Sequence, residues 1–265
     1  NNAPKFYKGT VIVDSKKFNR DFSNTKNLKK YIDCLYNGKF LLIKNVYTKK
    51  QIKELKERVV KIEKTQKQSF YRLNKKVPNF WRKITKKISK KYSLLTDRTS
   101  WYFFRWNRQS KFYYDLFTPM WRKIKILHGF KKDVFEKLTP TNQDRVDRIQ
   151  VVRYPDKSGF IETHQHPFET LCLGVSVYLS DNKNDFMNGG TYFLKNLKKK
   201  VYVEEYISSG DVGIFYTSLY HGVTPVNGLK KKLPIKLRGR WWCGLYSPES
   251  DLKKDRLTSM KLKNV

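Results

Sequence analysis

Residues 149–166 read IQVVRYPDKSGFIETHQH, and they combine a strand pattern with two closely spaced histidines. The apolar and β-branched run at its start predicts a strand that ends at Pro155. The stretch closes with His164 and His166, two of the four histidines in the chain. Because side chains two positions apart on a strand point to the same face, we expect both imidazoles to face the interior of a barrel and Gln165 to face away.

Further strand patterns follow this stretch at close intervals. Glycine-containing turn signals separate several of them, at residues 188–190, 209–211 and 227–228. The predicted strands cover residues 171–179, 191–194, 201–206, 212–216 and 240–246. Short, closely spaced strands of this kind indicate an antiparallel barrel or sandwich.

The N-terminal half contains helical patterns and fewer strands. A strand over residues 38–46 precedes Thr48, which is placed as the N-cap of a helix, with Gln51 completing a capping box. Apolar residues at helical spacing then predict one buried stripe, formed by Ile52, Leu55, Val59 and Ile62. A short aromatic strand is predicted over residues 100–106, and before it a second amphipathic helix around Trp81, Ile84, Ile88 and Tyr92.

No Pro-, Gly- or Ser-rich linker divides the 265 residues, so we expect a single α+β domain. Within it, residues 1–143 are predicted to form a strand and a helical buttress, residues 144–250 the barrel core, and residues 251–265 a basic tail. A chain of this length with 39% hydrophobic residues can bury a substantial core. The aromatic residues between Trp101 and Trp121 could line a substrate pocket, but core packing is the favoured interpretation.

The cysteines and the hydropathy pattern indicate the compartment. Cys34, Cys172 and Cys243 lie far apart and suggest neither a metal-binding pair nor a disulfide framework, which favours a reducing compartment such as the cytoplasm. No apolar run reaches the roughly 20 residues that a membrane-spanning helix needs, and the sequence shows no secretory signal. We therefore expect neither a membrane partner nor secretion.

The formal net charge of +34 is distributed unevenly along the chain. Residues 48–99 carry 18 Lys or Arg and 4 Asp or Glu, whereas residues 144–227 carry 9 and 10. The excess therefore lies outside the segment that contains the histidines. A solvated lysine-rich surface is the favoured interpretation, because specific nucleic-acid recognition tends to use arginine forks and modules that the sequence does not show.

A third histidine, His221, follows the turn at residues 209–211 after one predicted strand. Three neutral imidazoles that converge in a barrel favour Fe(II), Zn(II) or Cu(II) over Mg²⁺ or Ca²⁺. Taken alone, a His-x-His pair is more often an ordinary polar pair near a loop than a metal site. The order of the surrounding strands favours the metal site here.

A series of short motifs runs through the chain in a fixed order, loosely over residues 38–62 and well over residues 149–246. They are Arg153-Tyr154-Pro155, Gly159-Phe160, His164, residues 175–180, Gly189-Gly190-Thr191-Tyr192-Phe193, Gly210-Asp211 and His221-Gly222-Val223. In order and spacing these motifs resemble the Fe(II)/2-oxoglutarate-dependent dioxygenases, and within them the prolyl-hydroxylase and phytanoyl-CoA hydroxylase branches.

The resemblance implies a double-stranded β-helix, or jelly-roll barrel, in which a His-x-Asp/Glu motif and a distal histidine hold iron. His164 matches the first ligand and His221 the distal one, but His166 stands at the acidic position. His166 could bind the iron itself, which is the favoured interpretation, or leave a site for water or halide as in the family's halogenases. Alternatively, Glu162 or Glu169 could supply a carboxylate from a shifted register.

The family binds the 2-oxoglutarate carboxylate with a basic residue on the strand after the distal histidine. An arginine suits this role because its planar fork pairs with a carboxylate in a bidentate manner. The resemblance points to Arg240, with Arg238 as second choice, although a surface arginine stacked on a tryptophan is equally compatible with the sequence. Tyr154 and Gln150 share a strand face and could line the same pocket, where core packing is the competing interpretation.

The resemblance thus implies an enzyme that uses Fe(II), 2-oxoglutarate and O2 to hydroxylate, or otherwise oxidise, a small molecule. A substrate that carries phosphate or carboxylate is one option. The departure at His166 leaves a cupin-type metal dioxygenase without 2-oxoglutarate as an alternative, against which the spacing from Gly159 to His164 counts. A metal-free barrel whose basic helical face binds nucleic acid or an acidic partner is the least favoured interpretation.

Overall fold

A computed structural model describes residues 3–74, 76–137, 145–167, 173–227, 234–251 and 259–262. Its strands are β1 (Thr10–Asp14), β2 (Phe40–Lys44), β3 (Phe80–Ile84), β4 (Thr96–Phe104), β5 (Arg148–Tyr154), β6 (Phe160–Gln165), β7 (Leu173–Tyr178), β8 (Asn188–Asn196), β9 (Lys199–Tyr202), β10 (Val212–Tyr216), β11 (His221–Asn227), β12 (Arg240–Tyr246) and β13 (Met260–Lys261). Its helices are α1 (Ser15–Asp21), α2 (Thr25–Tyr36), α3 (Lys49–Thr65), α4 (Lys86–Ser89) and α5 (Lys111–Leu127). Among the helices in these ranges, none combines the length and apolar character needed to cross a bilayer.

The strands form a larger and a smaller sheet. The larger sheet has the order β1-β2-β10-β7-β12-β5-β4-β3, and the smaller sheet has the order β9-β8-β11-β6-β13. The strand β4 belongs to both, because it pairs with β5 along most of its length and with β6 at its start. The pairings are antiparallel apart from β1 with β2, so the molecule has the antiparallel barrel that the strand spacing predicted.

The helices cover one face of the larger sheet and bury the main hydrophobic core against it. Leu55 of α3 and Phe117 of α5 are fully buried in this core. On the sheet side, the indole rings of Trp101 and Trp241 stack with their centroids 5.3 Å apart. Because this face of the sheet is closed by helices, the opposite face is the one that can line a site between the sheets.

The helix α3 begins as the sequence predicts. The Oγ1 of Thr48 accepts a hydrogen bond from the backbone N of Gln51 at 3.2 Å, and the Oε1 of Gln51 accepts one from the backbone N of Thr48 at 2.8 Å. This capping box satisfies donors that the first helical turn leaves unpaired. The helix then buries Ile52, Leu55 and Val59, which belong to the predicted stripe, against the sheet.

The Gly210-Asp211 turn attaches β10 to the N-terminal part of the chain. Gly210 has a φ of +97°, and a Cβ there would lie 2.1 Å from the carbonyl oxygen of Tyr47, so only glycine fits. The buried carboxylate of Asp211 accepts a hydrogen bond from the backbone N of Asn45 at 2.9 Å and pairs with Lys44. The turn therefore fixes the start of β10 against the end of β2.

The predicted second helix around Trp81 to Tyr92 is wrong. These residues form β3 and then only the four-residue α4. The strand β3 pairs with β4, and the ring of Phe80 stacks on that of Tyr102 with centroids 4.5 Å apart. Pairing with a largely buried strand thus outweighs the helical spacing of the apolar residues.

The helix α5 is absent from the sequence predictions. It follows β4 and carries the C-terminal half of the aromatic run that begins at Trp101. Its buried aromatic residues pack into the main core, in agreement with the core packing favoured from the sequence. They are Tyr113, Tyr114, Phe117 and Trp121. In the N-terminal half of the run, Tyr102 and Phe104 face the cavity between the sheets.

The proposed divisions at residues 143 and 250 do not separate the sheets. Strands β2 and β4 precede residue 143, yet they pair with β10 and β5 of the predicted barrel core. At the other end, β13 from the predicted basic tail pairs with β6. Both terminal parts therefore contribute strands to the two sheets.

Phe40 joins the N-terminal strands to the barrel, so its truncation tests whether they unfold together. Its ring is fully buried, with its centroid 5.4 Å from that of Phe193 and 6.3 Å from that of Phe215. We expect Phe40→Ala to lower the free energy of unfolding by about 3–5 kcal/mol in a single urea transition. Ile12→Ala, at an exposed position of β1, is the control and should change it by about 0.5 kcal/mol at most. Two separate transitions, or equal effects of the two changes, would contradict this account.

Candidate metal centre and adjoining cavity

Three histidines meet where β6 and β11 pair in the smaller sheet. His164 on β6 lies directly opposite His221 at the start of β11, and His166 follows the end of β6. The ring centroid of His164 is 4.3 Å from that of His221 and 5.0 Å from that of His166, and the remaining pair is 5.5 Å apart. One ring nitrogen from each residue lies within 4.8 Å of the other two. The structure therefore brings together the three residues that the sequence singled out.

An irregularity in the pairing of β6 with β11 sets the direction of these side chains. His164 pairs with His221, and Ile161 pairs with Val223, so three steps along β6 match two along β11. An extra residue of this kind reorients the side chains that follow it. As a result, Ile161 and His164 both line the cavity, although they lie an odd number of positions apart along the strand.

Backbone carbonyls fix the tautomer of two of the imidazoles. The Nδ1 of His164 lies 2.8 Å from the carbonyl oxygen of Glu162, and the Nδ1 of His221 lies 2.7 Å from that of Leu219. Because a carbonyl oxygen can only accept, each Nδ1 carries the proton and each Nε2 keeps a lone pair. Metal-binding histidines are usually oriented in this way.

His166 is held by residues outside β6. Its backbone N donates to the carbonyl oxygen of Thr217 at 2.9 Å. Its Nδ1 lies 3.2 Å from the Oγ of Ser259, which immediately precedes β13. The segment around β13 thus lies beside β6, and its Ser259 contacts one of the histidines directly.

Burial and mutual proximity keep two of these imidazoles neutral. Burial, together with the neighbouring imidazoles of His221 and His166, holds the pKa of His164 well below its ordinary value. Burial and the proximity of His166 lower the pKa of His221 to about 3. The neutral imidazole is the form that binds a metal ion, and three nitrogen donors suit Fe(II), Zn(II) or Cu(II). The donor set therefore fits the iron that the sequence suggested.

Of the two carboxylates considered as alternative ligands, Glu162 is bound elsewhere. Its Oε1 accepts a hydrogen bond from the backbone N of Leu95 at 2.7 Å, and its own backbone N donates to the carbonyl oxygen of Leu95 at 3.1 Å. Glu169 lies outside the described residues. Within the described ranges, the cluster of potential ligands consists of the three histidines.

A cavity of about 400 Å³ adjoins the histidines and is lined by residues of both sheets. Tyr154 and Gln150 line it from β5, as the sequence suggested, and both are buried. The Nε2 of Gln150 lies 3.4 Å from the Oγ of Ser100 and 3.4 Å from the hydroxyl of Tyr102. These polar groups therefore belong to the cavity wall and not to the apolar core behind it.

Arg240 lines the same cavity from the start of β12 and is almost completely buried. Its Nε pairs with the carboxylate of Glu204, and its Nη2 donates to the Oγ1 of Thr191 at 2.5 Å. Its Cζ lies 5.9 Å from the ring centroid of Tyr154 and 5.6 Å from that of Tyr178. In the part of the chain that the structure describes, its Nη1 has no hydrogen-bond partner and remains able to bind a ligand. The guanidinium is thus oriented by the protein on two of its nitrogens.

Arg238, the second choice for this role, is exposed and does not line the cavity. Glu204 and Thr191 orient Arg240, and the sequence did not indicate this role for either residue. The double glycine Gly189-Gly190 was the one local feature of the sequence that could have indicated a side chain, that of Glu204, packed against this strand. Gly190 has a φ of +97°, and a Cβ there would lie 2.4 Å from the Cγ of Glu204, so the glycine makes room for that side chain.

No family model matches the sequence, and no curated protein matches it. Several solved structures do match. A prolyl-4-hydroxylase from Pseudomonas putida aligns with a TM-score of 0.55 and 11% identity, over 83% of this chain and 98% of that one. JOX2 in complex with 2OG, Fe and JA aligns with a TM-score of 0.53 and 11% identity, over 98% of this chain and 79% of that one.

A third similar structure is that of a full-length Neurospora crassa protein in complex with alpha-KG and thymine. It aligns with a TM-score of 0.53 and 12% identity, over 90% of this chain and 85% of that one. Likenesses at such low identity show the fold. The chain has the fold of these three proteins, which confirms the predicted α+β double-stranded β-helix buttressed by helices.

The buried pair of Glu204 and Arg240 yields a test by a double-mutant cycle. We expect Glu204→Ala to lower the free energy of unfolding by about 3–5 kcal/mol, because it leaves a buried cation without its counter-charge. The exposed neighbour Glu205 is the control, and Glu205→Ala should change it by about 0.5 kcal/mol at most. The double variant Glu204→Ala/Arg240→Met should regain a large part of the lost free energy of unfolding, as measured by urea denaturation. If the double variant loses the sum of the two single losses, the pair is not coupled.

Proposed function

We propose that this protein is an Fe(II)- and 2-oxoglutarate-dependent oxygenase that oxidises a small molecule, with hydroxylation as the default outcome. The observation that carries the proposal is the convergence of His164, His166 and His221 on a cavity that Arg240 also lines. A metal site and an anion-binding arginine in one enclosed space can hold a metal ion and a carboxylate co-substrate together. Two structures with this fold hold 2OG or alpha-KG, which supports the proposal.

In this proposal the three imidazoles bind the iron, two of them through Nε2. The hydrogen bonds from Nδ1 to the carbonyls of Glu162 and Leu219 hold the rings of His164 and His221 in place before a metal arrives. With only three protein ligands, a bound metal ion would still have room for a co-substrate from the cavity. When bound, Fe(II) with O2 and 2-oxoglutarate supplies oxidation of a substrate C–H bond, coupled to conversion of 2-oxoglutarate to succinate and CO2.

His166 changes the charge of the site relative to a carboxylate ligand. Three neutral imidazoles leave the full charge of a divalent cation uncompensated, whereas one carboxylate would remove half of it. In a buried site, where charges interact more strongly than in water, this difference favours an anionic co-ligand. The substitution is therefore compatible with a dianion such as 2-oxoglutarate.

Arg240 is the residue that we assign to the distal carboxylate of 2-oxoglutarate. Glu204 and Thr191 hold the guanidinium through Nε and Nη2, so the Nη1 is left to meet a carboxylate. The ion pair with Glu204 also stabilises the arginine while the cavity contains no co-substrate. Its orientation is therefore prepared in advance, which reduces the cost of binding.

Apolar side chains beside the histidines would limit access of water. The ring centroid of Phe215 lies 5.0 Å from that of His221. Ile161, Val223 and Trp242 are buried in one cluster and line the adjoining wall of the cavity. A wall of this kind excludes water from the reacting groups and strengthens electrostatic interactions inside the cavity.

A metal dioxygenase that needs no 2-oxoglutarate is the second candidate function. One observation favours it, namely that an imidazole and not a carboxylate stands at the third ligand position. In that case the role of Arg240 would be limited to its structural ion pair with Glu204. The two candidates share the metal site and differ in whether 2-oxoglutarate binds.

Loss of single histidines tests the metal site. We expect His164→Ala and His221→Ala each to weaken Fe(II) binding more than about 100-fold in anaerobic calorimetric titrations, because each removes one of three donors. His128, the remaining histidine, bonds to the carbonyl oxygen of Ile124 at the end of α5 and does not line the cavity. His128→Ala is therefore the control and should keep wild-type affinity. Wild-type affinity in the His164 and His221 variants would refute the site.

Substitution of Arg240 tests the co-substrate assignment. We expect Arg240→Met to weaken 2-oxoglutarate binding to the iron-loaded protein by at least about 30-fold, because the co-substrate carboxylate loses a buried cationic partner. The exposed Arg238 provides the control Arg238→Met, which should bind 2-oxoglutarate as the wild type does. Binding is followed by calorimetry, and succinate release is followed under air. If the iron-loaded wild-type protein does not bind 2-oxoglutarate, the second candidate function replaces the proposal.

A further inference from the structure

The cavity contains three arginines that neither the metal site nor the co-substrate assignment uses. Arg82, Arg98 and Arg148 lie on the adjacent strands β3, β4 and β5, and all three line the cavity. We call them the arginine cluster. The Cζ of Arg82 is 5.8 Å and that of Arg148 is 5.3 Å from the ring centroid of Tyr102, which lies between them in the sheet.

Two members of the arginine cluster are only partly satisfied by the protein. The Nε atoms of Arg82 and Arg98 are buried, and neither has a hydrogen-bond partner among the described residues. In the same part of the chain, neither guanidinium has an ion-pair partner. Burying N–H donors without hydrogen-bond partners and cations without counter-charges is costly, so such a site is suited to an anion that supplies both.

Two carboxylates of the cavity wall are engaged with other groups. Glu249 pairs with Arg145 at 3.5 Å, and Asp251 accepts a hydrogen bond from the backbone N of Leu73. The direction in which the pKa of Tyr102 shifts indicates an excess of positive charge in this part of the cavity. Although burial raises its pKa, the three guanidinium groups of the cluster lower the pKa below the ordinary value for a tyrosine.

Aromatic rings hold Arg82 at the mouth of the cavity. Its Cζ lies 4.4 Å from the ring centroid of Phe70 and 5.6 Å from that of Tyr92. These rings and that of Tyr71 are substantially exposed, so the mouth presents both apolar surface and positive charge to solvent. Stacking on rings orients a guanidinium and leaves its N–H groups available to a carboxylate or phosphate.

Between the arginine cluster and the histidines, part of the cavity wall is apolar. Leu94, Ile161, Val223 and Trp242 line this part and belong to one buried cluster. A ligand whose acid group lies at the arginines would therefore place an apolar body beside His164 and His221. The volume of about 400 Å³ is sufficient for a small molecule.

We propose that the arginine cluster recognises the substrate, and that the substrate is a small organic acid with an apolar body. Its carboxylate or phosphate group binds between Arg82 and Arg98, next to Tyr102. Its apolar body extends along the wall toward the histidines, where the bond to be oxidised lies. This inference rests on the proposed function, because it names the substrate class of the same cavity, and it adds an anion site separate from Arg240.

Binding of matched probes tests the inference. We would measure the affinities of phenylacetate, phenyl phosphate and the neutral phenylacetamide by calorimetry and by quenching of tryptophan fluorescence. In the wild type, we expect at least one of the two acids to bind about tenfold or more tightly than the amide, as one charge-assisted hydrogen bond predicts. The tighter of the two acids identifies whether the site prefers carboxylate or phosphate. Equal affinity for both acids and the amide would overturn the inference.

Variants of the arginine cluster assign the effect to its residues. Arg82→Gln and Arg98→Gln should each weaken acid binding about tenfold and leave the amide unchanged, whereas Arg20→Gln, at an exposed position of α1, should have no effect. Because both cluster variants remove positive charge that lacks a counter-charge, we expect them to unfold at or above the wild-type temperature. A large fall in that temperature would show that these arginines have a structural role, and unchanged acid affinity would show that they do not bind the acid; either result overturns the inference.

Two further measurements separate this inference from the proposed function. Acid binding through the cluster in a protein that binds no Fe(II) would refute the proposed function and keep the anion site. Normal binding of Fe(II) and 2-oxoglutarate without discrimination between acid and amide would refute the anion site and leave the proposed function intact. If Arg82→Gln and Arg98→Gln weaken 2-oxoglutarate as strongly as the probe acids, the cluster serves the co-substrate and the inference fails.

Discussion

The pairing of β6 with β11 is the constraint on which the candidate site depends. It places His164 opposite His221, and the extra residue in β6 turns the His164 side chain into the cavity. The backbone carbonyls of Glu162, on β6, and of Leu219, two residues before β11, then fix the proton of each ring on Nδ1. A shift of the register by one residue would send His164 to the other face of the sheet and separate the ligands. The candidate metal site is therefore a consequence of strand register and not of a flexible loop.

The two sheets contribute different chemistry to the cavity. The smaller sheet supplies neutral nitrogen donors, whereas the larger sheet supplies arginines on four strands, of which Arg240 is paired with the buried carboxylate of Glu204. Because the helices close the far face of the larger sheet, its other face is free to carry these polar groups. This division shows how one barrel can bring together the candidate metal ligands, the proposed co-substrate anchor and the proposed anion site.

Much of this arrangement was readable in the sequence, and the failures have physical causes. Most strands after residue 145 and the three histidines follow from local pattern, since alternation and turn glycines act over a few residues. The sequence did not predict β11, and residues 204–206, which it placed in a strand, form a short 3-10 helix. The helix predicted near Trp81 failed because pairing with β4 overrode a helical spacing of apolar residues. The roles of Glu204 and the arginine cluster depend on side chains that meet across strands distant in sequence, and no local signal except Gly190 indicates them.

A direct count of the imidazoles on the metal tests the central claim. X-ray absorption of the protein loaded with one equivalent of Fe(II), in the absence of 2-oxoglutarate, reports how many imidazole rings surround the iron. We expect three imidazoles in the wild type and two in His166→Ala, with the same count of three in His128→Ala. Two imidazoles and a carboxylate in the wild type, with no change in His166→Ala, would contradict it.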